Sequence, residues 1–407
     1  MKKLSRVLCL MLVLCAFFSL AGCKQTTNDP TEPSLSPEEQ ILADRRDIVE
    51  QYMRHNATVL WRAAEDIIYN IDGKEYKIIA GRVYQGVPYT YAGGTMEAFL
   101  EFAGEPNEKG IYTVSGIKPE AMSNGGETAR IGNDCSSAVI LAWSRIGANV
   151  TGIRTKQMTP KNGFIPVGDY EVDREIEEFV NTKAIVLENG EDTIYKAYAQ
   201  TQKGDCLVFR SGFGHALMVV SVDVVYDADG NIDGDKSKVT ILEQSRGHIQ
   251  KNKHYEDETL GETVYVIGGV DIKYSFSVLT KQGYIPVTCK ELIDPAPVEE
   301  PAITDSETVF NKDTILTGEI SSNWFIDAAT LTITDSEGTV VQKATASCTR
   351  YNKYVSFELA KFTTDTPNSV LGKIDVAALP AGNYHCTLIC RLTNGQEFTV
   401  RDFDFVV

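Results

Sequence analysis

Gly132-Asn133-Asp134-Cys135-Ser136-Ser137-Ala138-Val139-Ile140-Leu141-Ala142-Trp143 reads as a turn running into a helix. Further on, Gly204-Asp205-Cys206-Leu207-Val208-Phe209-Arg210-Ser211-Gly212-Phe213-Gly214-His215-Ala216-Leu217-Met218-Val219-Val220 reads as β-structure. In the first stretch Val139, Ile140, Ala142, Trp143 and Ile146 recur at helical spacing, and Gly147 is a stop signal. Asn133 and Asp134 stand in front as candidate N-caps. The spacing predicts a helix over residues 136–146 with Cys135 at its start. From residue 204 the period changes, and strands are predicted at 207–210, 215–226, 238–244 and 263–267.

These two stretches also hold the reactive side chains. At a helix start, unpaired backbone N–H groups and the helix dipole favour an anion, so a cysteine there can be a thiolate beside an oxyanion hole. Cys135 has that setting. Cys206 lies inside an apolar strand, where cysteine packs as a small hydrophobe. A thiolate needs a base, and the chain has five histidines: His55, His215, His248, His254 and His385. His215 leads an apolar strand. His55 falls on a predicted helix and His385 in a later β region, while His248 and His254 fall in a polar stretch with Lys251 and Lys253 that reads as a solvated loop. A Gly-rich phosphate loop, HExxH and GxSxG are all missing from the sequence, so the Cys/His chemistry stands without a cofactor or metal.

Working outward, Lys2, Lys3 and Arg6 precede an uncharged run from Val7 to Leu20, too short to span a bilayer and of signal-peptide length. Residues 1–22 are read as a signal, and 23–36 as a polar, Pro/Thr-rich tether. Ser36-Pro37-Glu38-Glu39 reads as a capping box, with a helix over about 37–55 behind it. Residues 57–63 and 76–80 are predicted strands around a turn at Asn70 to Gly73. Residues 294–305, including Asp294-Pro295-Ala296-Pro297-Val298-Glu299-Glu300-Pro301, form a linker. Residues 306–407 read as all β, with strands at 315–320, 331–334, 340–346, 354–359, 384–392 and 396–407. Asp335-Ser336-Glu337-Gly338 and Asn394-Gly395 are turn signals between them. Six short strands at regular spacing fit an immunoglobulin-like sandwich.

Composition bounds the partners. Of 407 residues, 43% are apolar and 23% charged, ordinary for a globular chain. The net charge is −17, and −20 once residues 1–22 are removed, because Lys2, Lys3 and Arg6 leave with them. Such a surface repels phosphate backbones, so nucleic acid is excluded as a partner class. Nine cysteines do not make a framework. Cys9 and Cys15 belong to the signal, and the rest lack zinc spacing. Cys386 and Cys390 on one strand lie about 13 Å apart, too far to bridge. Cys348 could pair with either.

Taken together, the order of these segments resembles known families. Leu20-Ala21-Gly22-Cys23 after the apolar run resembles the lipobox of bacterial lipoproteins, in which the cysteine, here Cys23, is lipidated and becomes the N-terminus. Tyr91 with Gly93-Gly94, the Asp134-Cys135-Ser136 block, the Gly204-Asp205 to His215 block and Leu242-Glu243-Gln244 resemble the NlpC-type cell-wall cysteine peptidases and the related CHAP amidases. The resemblance covers about residues 80–245. It implies a compact α+β papain-like domain over 37–293, anchored by lipid in a bacterial envelope, that cuts amide bonds in peptidoglycan peptides. It makes Cys135 the nucleophile and His215 the base. The third residue is Glu243 or Gln244. Strand alternation favours Glu243, since Gln244 points to the other face. Tyr91 is expected to line the substrate cleft. This sequence departs from the pattern at Ser137, where glycine is usual, in the long segment from Thr95 to Asp134, and in lacking a histidine as third residue.

Asp229-Gly230-Asn231-Ile232-Asp233-Gly234 matches the first half of a calcium loop. Thr240 stands where the bidentate Glu belongs, so an acidic hairpin turn is the expectation. Two functional readings follow: a lipid-anchored peptidoglycan hydrolase, or a surface lipoprotein that keeps the fold only for binding. Transfer instead of hydrolysis by the same Cys–His pair stays open.

Overall fold

Ser36 and Glu39 close the reciprocal cap the sequence announces: the Glu39 amide donates to Ser36 Oγ at 3.2 Å and the Ser36 amide to Glu39 Oε2 at 2.8 Å. The helix behind it, α1, runs Pro37–Thr58. The computed structural model describes residues 35–122, 131–150, 154–309, 317–347, 353–357, 369–372 and 374–407. The signal, Cys23 and Cys348 lie outside the described residues. Among those residues no helix is long and apolar enough to cross a membrane.

After α1 come β1 (Leu60–Ala63), β2 (Ile67–Ile71), β3 (Lys74–Ile78), β4 (Val83–Gln85), α2 (Met96–Leu100), β5 (Tyr112–Val114) and α3 (Cys135–Ser144). Then follow β6 (Ile165–Pro166), α4 (Thr182–Asn189), α5 (Glu191–Gln200), β7 (Cys206–Ser211), β8 (Phe213–Asp223) and β9 (Lys238–Gln244). The region closes with α6 (Arg246–Gln250), β10 (His254–Asp257), β11 (Glu262–Val266), β12 (Gly268–Ser275), α7 (Phe276–Gln282) and β13 (Ile285–Thr288). The predicted strands near 57–63 and 76–80 do not pair with each other. The hairpin is β2–β3, closed by Asp72 and Gly73, both at positive φ as a tight primed turn requires. β1 pairs instead with β4 and β5.

The sheet that carries His215 and Glu243 is antiparallel, in the order β12-β9-β8-β7-β13-β6. Helix α3 packs against β8 and β9. All ten residues of α3 are buried, and its apolar run Ala138 to Trp143 covers every side of the helix. Trp143 fills the contact and donates its indole N–H to Gly204 O at 2.8 Å. Asp205 is buried and ties the sheet to α1. It takes Arg46 Nη1 at 3.0 Å and Thr288 Oγ1 at 2.7 Å. Burial raises the Asp205 carboxyl and the Arg46 guanidinium opposes that; the net direction is upward.

The last region holds β14 (Ile303–Val309), β15 (Thr317–Ser322), β16 (Ile326–Asp335), β17 (Val340–Ser347), β18 (Tyr354–Phe357), β19 (Ser369–Gly372), β20 (Asn383–Leu392) and β21 (Glu397–Val406). They form two sheets, β14-β15-β18 and β19-β17-β16-β20-β21. Ile303 already pairs with Ser322, so the end of the expected linker belongs to the sheet. Tyr384, Cys386, Leu388, Cys390 and Leu392 all point inward from β20, as their alternation predicts. Asn394-Gly395 closes the β20–β21 hairpin. The linker itself is held on both sides: Arg45 donates to the carbonyls of Glu291, Asp294 and Ala296, and Trp324 Nε1 to Glu299 O at 2.8 Å. Buried Asp327 of β16 accepts from Thr95 Oγ1 at 2.9 Å and from Arg391 Nε at 2.7 Å, joining the β region to α2.

Candidate active site

Cys135 is the first residue of α3 and is 5% exposed. Asp134 is the N-cap, extended at φ −99° and ψ 179°. Its Oδ1 accepts the Ser137 amide at 2.7 Å and the Ser136 hydroxyl at 3.0 Å, while Ser137 Oγ accepts the Asp134 amide at 2.9 Å. That reciprocal cap explains Ser137, the departure from glycine: the side chain is used. Asn133 is fully buried, exchanging amide hydrogen bonds with Asn56 of α1. The residue before the cap is thus clamped to a neighbouring helix. The Cys135 and Ser136 amides stand in the first turn, where the helix offers no carbonyl partner and N–H groups are available to an oxyanion.

His215 sits on β8 opposite Phe209 of β7. Gly214 before it admits no side chain, since a Cβ there would lie 1.9 Å from Thr155 Oγ1. His215 Nε2 is 2.5 Å from Glu243 Oε2, and Cys135 lies close enough to the ring to act on its charge. With Nε2 on the carboxylate, Nδ1 is the nitrogen left for the thiol. Met218 pairs with Leu242, so Glu243 on β9 falls opposite Leu217 and shares the face of His215. Gln244 turns to the other face, where its Nε2 lies 3.4 Å from Asn56 O. The register thus selects Glu243 of the two candidates as the residue beside His215.

The electrostatics follow from this geometry. Burial opposes charge on His215, but Cys135 and Glu243 outweigh it and raise the imidazole to about 10. Burial likewise opposes charge on Glu243, and hydrogen bonds from His215 and His248 lower it to about 2. Both groups are therefore held ionised around neutral pH.

His248 differs from the solvated-loop expectation. It lies on α6 with its side chain only 12% exposed, and its Nε2 is 2.9 Å from Glu243 Oε1. The carboxylate bridges two histidines. The polar Arg246-Gly247-His248-Ile249-Gln250 stretch hides this in sequence; Ser245, an N-cap residue accepting the Gly247 amide, is the one local signal of a helix. Gly269 of β12 leaves room for the bridge, since a Cβ there would lie 2.8 Å from Glu243 Cγ and 3.1 Å from His248 Nε2.

The other sequence candidates lie elsewhere. Cys206 is fully buried on the opposite face of the sheet from His215, and burial pushes its thiol far up. The Tyr91 hydroxyl donates to Asp72 Oδ2 at 2.7 Å, and Tyr91 does not line the cavity next to His215. Tyr89 lines it instead, with Tyr91 edge-on behind at 6.3 Å. Tyr89 forms a parallel bridge with Asn133, two residues before Cys135, and Tyr91 lies beyond that bridge. In the acidic turn after β8, Asp227 Oδ1 accepts the Asp229 and Asn231 amides and Asp233 pairs with Lys236 at 2.6 Å, so these carboxylates serve the turn.

No family model and no curated protein matches this chain. A solved structure described as the crystal structure of a tetra-tandem repeat in the extending region of a large adhesion protein aligns at 17% identity. The alignment covers 50% of this chain and 41% of that one. Its TM-score is 0.18, so the similarity carries no argument about fold or chemistry, and the chain is placed as a mixed α/β protein with several β-sheets by its own structure.

Proposed function

We propose that this chain is a cysteine hydrolase of papain-like fold that cleaves an amide bond in bacterial peptidoglycan peptides. On this reading it is tethered to a membrane by lipid on Cys23, with an immunoglobulin-like sandwich as its second domain. The observation that carries the reading is the His215 ring, hydrogen-bonded to a buried carboxylate on the next strand and near a helix-start cysteine. A thiol, an imidazole and an orienting carboxylate in that order are what amide cleavage by a nucleophile needs. The NlpC-type sequence resemblance supplies the substrate class.

The Cys135 thiolate attacks the amide carbon, and the charge developing on oxygen is met by first-turn N–H groups. The tetrahedral adduct collapses as His215 gives its proton to the leaving amine, leaving a thioester. Water then loses a proton to His215, attacks the thioester and releases the acid and the thiolate. Glu243 keeps the ring oriented throughout and supports its charge whenever it is protonated, and His248 holds Glu243 by its second oxygen. Digestion of purified peptidoglycan, with fragments identified by mass, tests the reading. New amine and carboxyl ends that vanish in Cys135→Ala are expected; fragments released equally by Cys135→Ala would overturn it.

A further inference from the structure

Beside His215 opens a cavity of about 610 Å³ whose lining is one-sided in charge. Lys183 of α4, Arg246 of α6 and Lys281 near the end of α7 all face it, and no carboxylate is among its lining residues. In a chain of net charge −17, three cations gathered at the candidate catalytic histidine are against the trend of the surface. Among the described residues neither lysine has an ion pair, and Arg246 Nη1 stands 3.5 Å from Asp72 Oδ2, a loose contact. Both lysines also border a neighbouring cavity with Glu191, Asp233 and Asp235, of which Asp233 is engaged by Lys236 and Asp235 accepts from Ser277 Oγ. The lining is also aromatic: Phe209 and Phe213 meet edge-on at 5.1 Å, and Phe213 is 61% exposed. A volume of this order accommodates a short peptide segment.

We propose that this cavity is a substrate subsite for a free carboxylate carried on an aliphatic stem, placing an anionic peptide residue beside the bond to be cut. The cations hold the carboxylate and the aromatic wall covers the stem. Focused positive potential in an otherwise acidic surface raises local occupancy by anionic peptides over neutral ones. The inference rests on the peptide-hydrolase reading of the same site but concerns binding, which can be measured without turnover.

The probe pair is the tripeptide Ala-γ-Glu-Lys with free carboxylates and its fully amidated twin. Each is titrated calorimetrically into full-length Cys135→Ala protein. The free acid is expected to bind at least about 10-fold tighter, each factor of ten being ~1.4 kcal/mol, with the preference shrinking as salt is raised from 50 to 500 mM, roughly a threefold change in screening length. Adding Lys183→Gln, Arg246→Gln and Lys281→Gln should bring the two peptides to equal affinity; the salt series on the Cys135→Ala protein alone decides the matter if that variant fails to fold. Equal affinity for the two peptides, no binding of either at millimolar concentration, or a preference that survives the triple change overturns the subsite. Carboxylate preference without cleavage by the wild-type chain would sink the hydrolase reading and leave the subsite standing. Cleavage without preference would do the reverse.

Discussion

His215 and His385 each stand on an antiparallel strand with a carboxylate against the ring, yet they occupy opposite settings. His385 on β20 touches Asp404 at 2.8 Å and Asp402 at 2.9 Å, and those aspartates are 89% and 61% exposed. His215 touches a Glu243 that is 5% exposed. Each histidine also has a cysteine associated with it. Cys386 follows His385 in the chain, but alternation sends the two to opposite faces, and burial pushes the Cys386 thiol up to about 12. Cys135 is distant in sequence from His215, and folding brings it to the ring. The same functional groups make a solvated ion pair in one region and a candidate catalytic unit in the other. What differs is burial, which removes competing water, and the source of the thiol, a helix start instead of a strand interior.

The comparison breaks most sharply at the nucleophile. Cys135→Ala should lower kcat/KM by at least about 10³-fold with the fold intact by circular dichroism, and His215→Ala nearly as much, since members of such a unit fail together. Retained activity in Cys135→Ala would make the two regions equivalent. Glu243→Ala should be milder by roughly two orders of magnitude than loss of the nucleophile, because orientation and not chemistry is removed. Gln244→Ala, on the other face, should leave the kcat ratio of wild type to variant near one.

pH sharpens it next. A raised imidazole contributes favourably below its ordinary value near 6.5 and loses that contribution as pH climbs through about 10. The alkaline limb of kcat/KM should therefore lie well above 7 in the wild type and move down in Glu243→Gln, where the neutral amide no longer supports the imidazolium. A limb at the ordinary imidazole value in the wild type would contradict the buried pair.

His248→Ala removes one hydrogen bond to a buried charge, worth ~1.5 kcal/mol, or about a tenfold fall in kcat. KM should stay within about twofold, and His248→Gln should recover part of the loss by donating to the same oxygen. A change in KM alone would make His248 a substrate contact. Smallest of all, His385→Ala should leave kcat/KM unchanged within a factor of about two, because exposed pairs contribute little. A stopped-flow assay that finds otherwise would tie the β region to the chemistry.

Much of this was legible in residue order. The Ser36 to Glu39 cap, α3 with Cys135 at its head, the β8 and β9 strands and the inward row on β20 all follow from spacing and capping chemistry, which are local. Strand alternation alone separated Glu243 from Gln244, because the period of two is a property of the backbone. Local reasoning failed where partners came from afar. It read His248 as solvated, since nothing in its own segment shows that Glu243 will turn a second oxygen toward it. It named Tyr91 where Tyr89 lines the cavity, since that cavity is made by α4, α6 and α7 from distant parts of the chain. Burial of Asp205 by Arg46, the docking of the linker by Arg45, and the gathering of Lys183, Arg246 and Lys281 at one mouth were likewise decided by tertiary structure. Desolvation and charge proximity depend on distances in space, and those the order of residues does not contain.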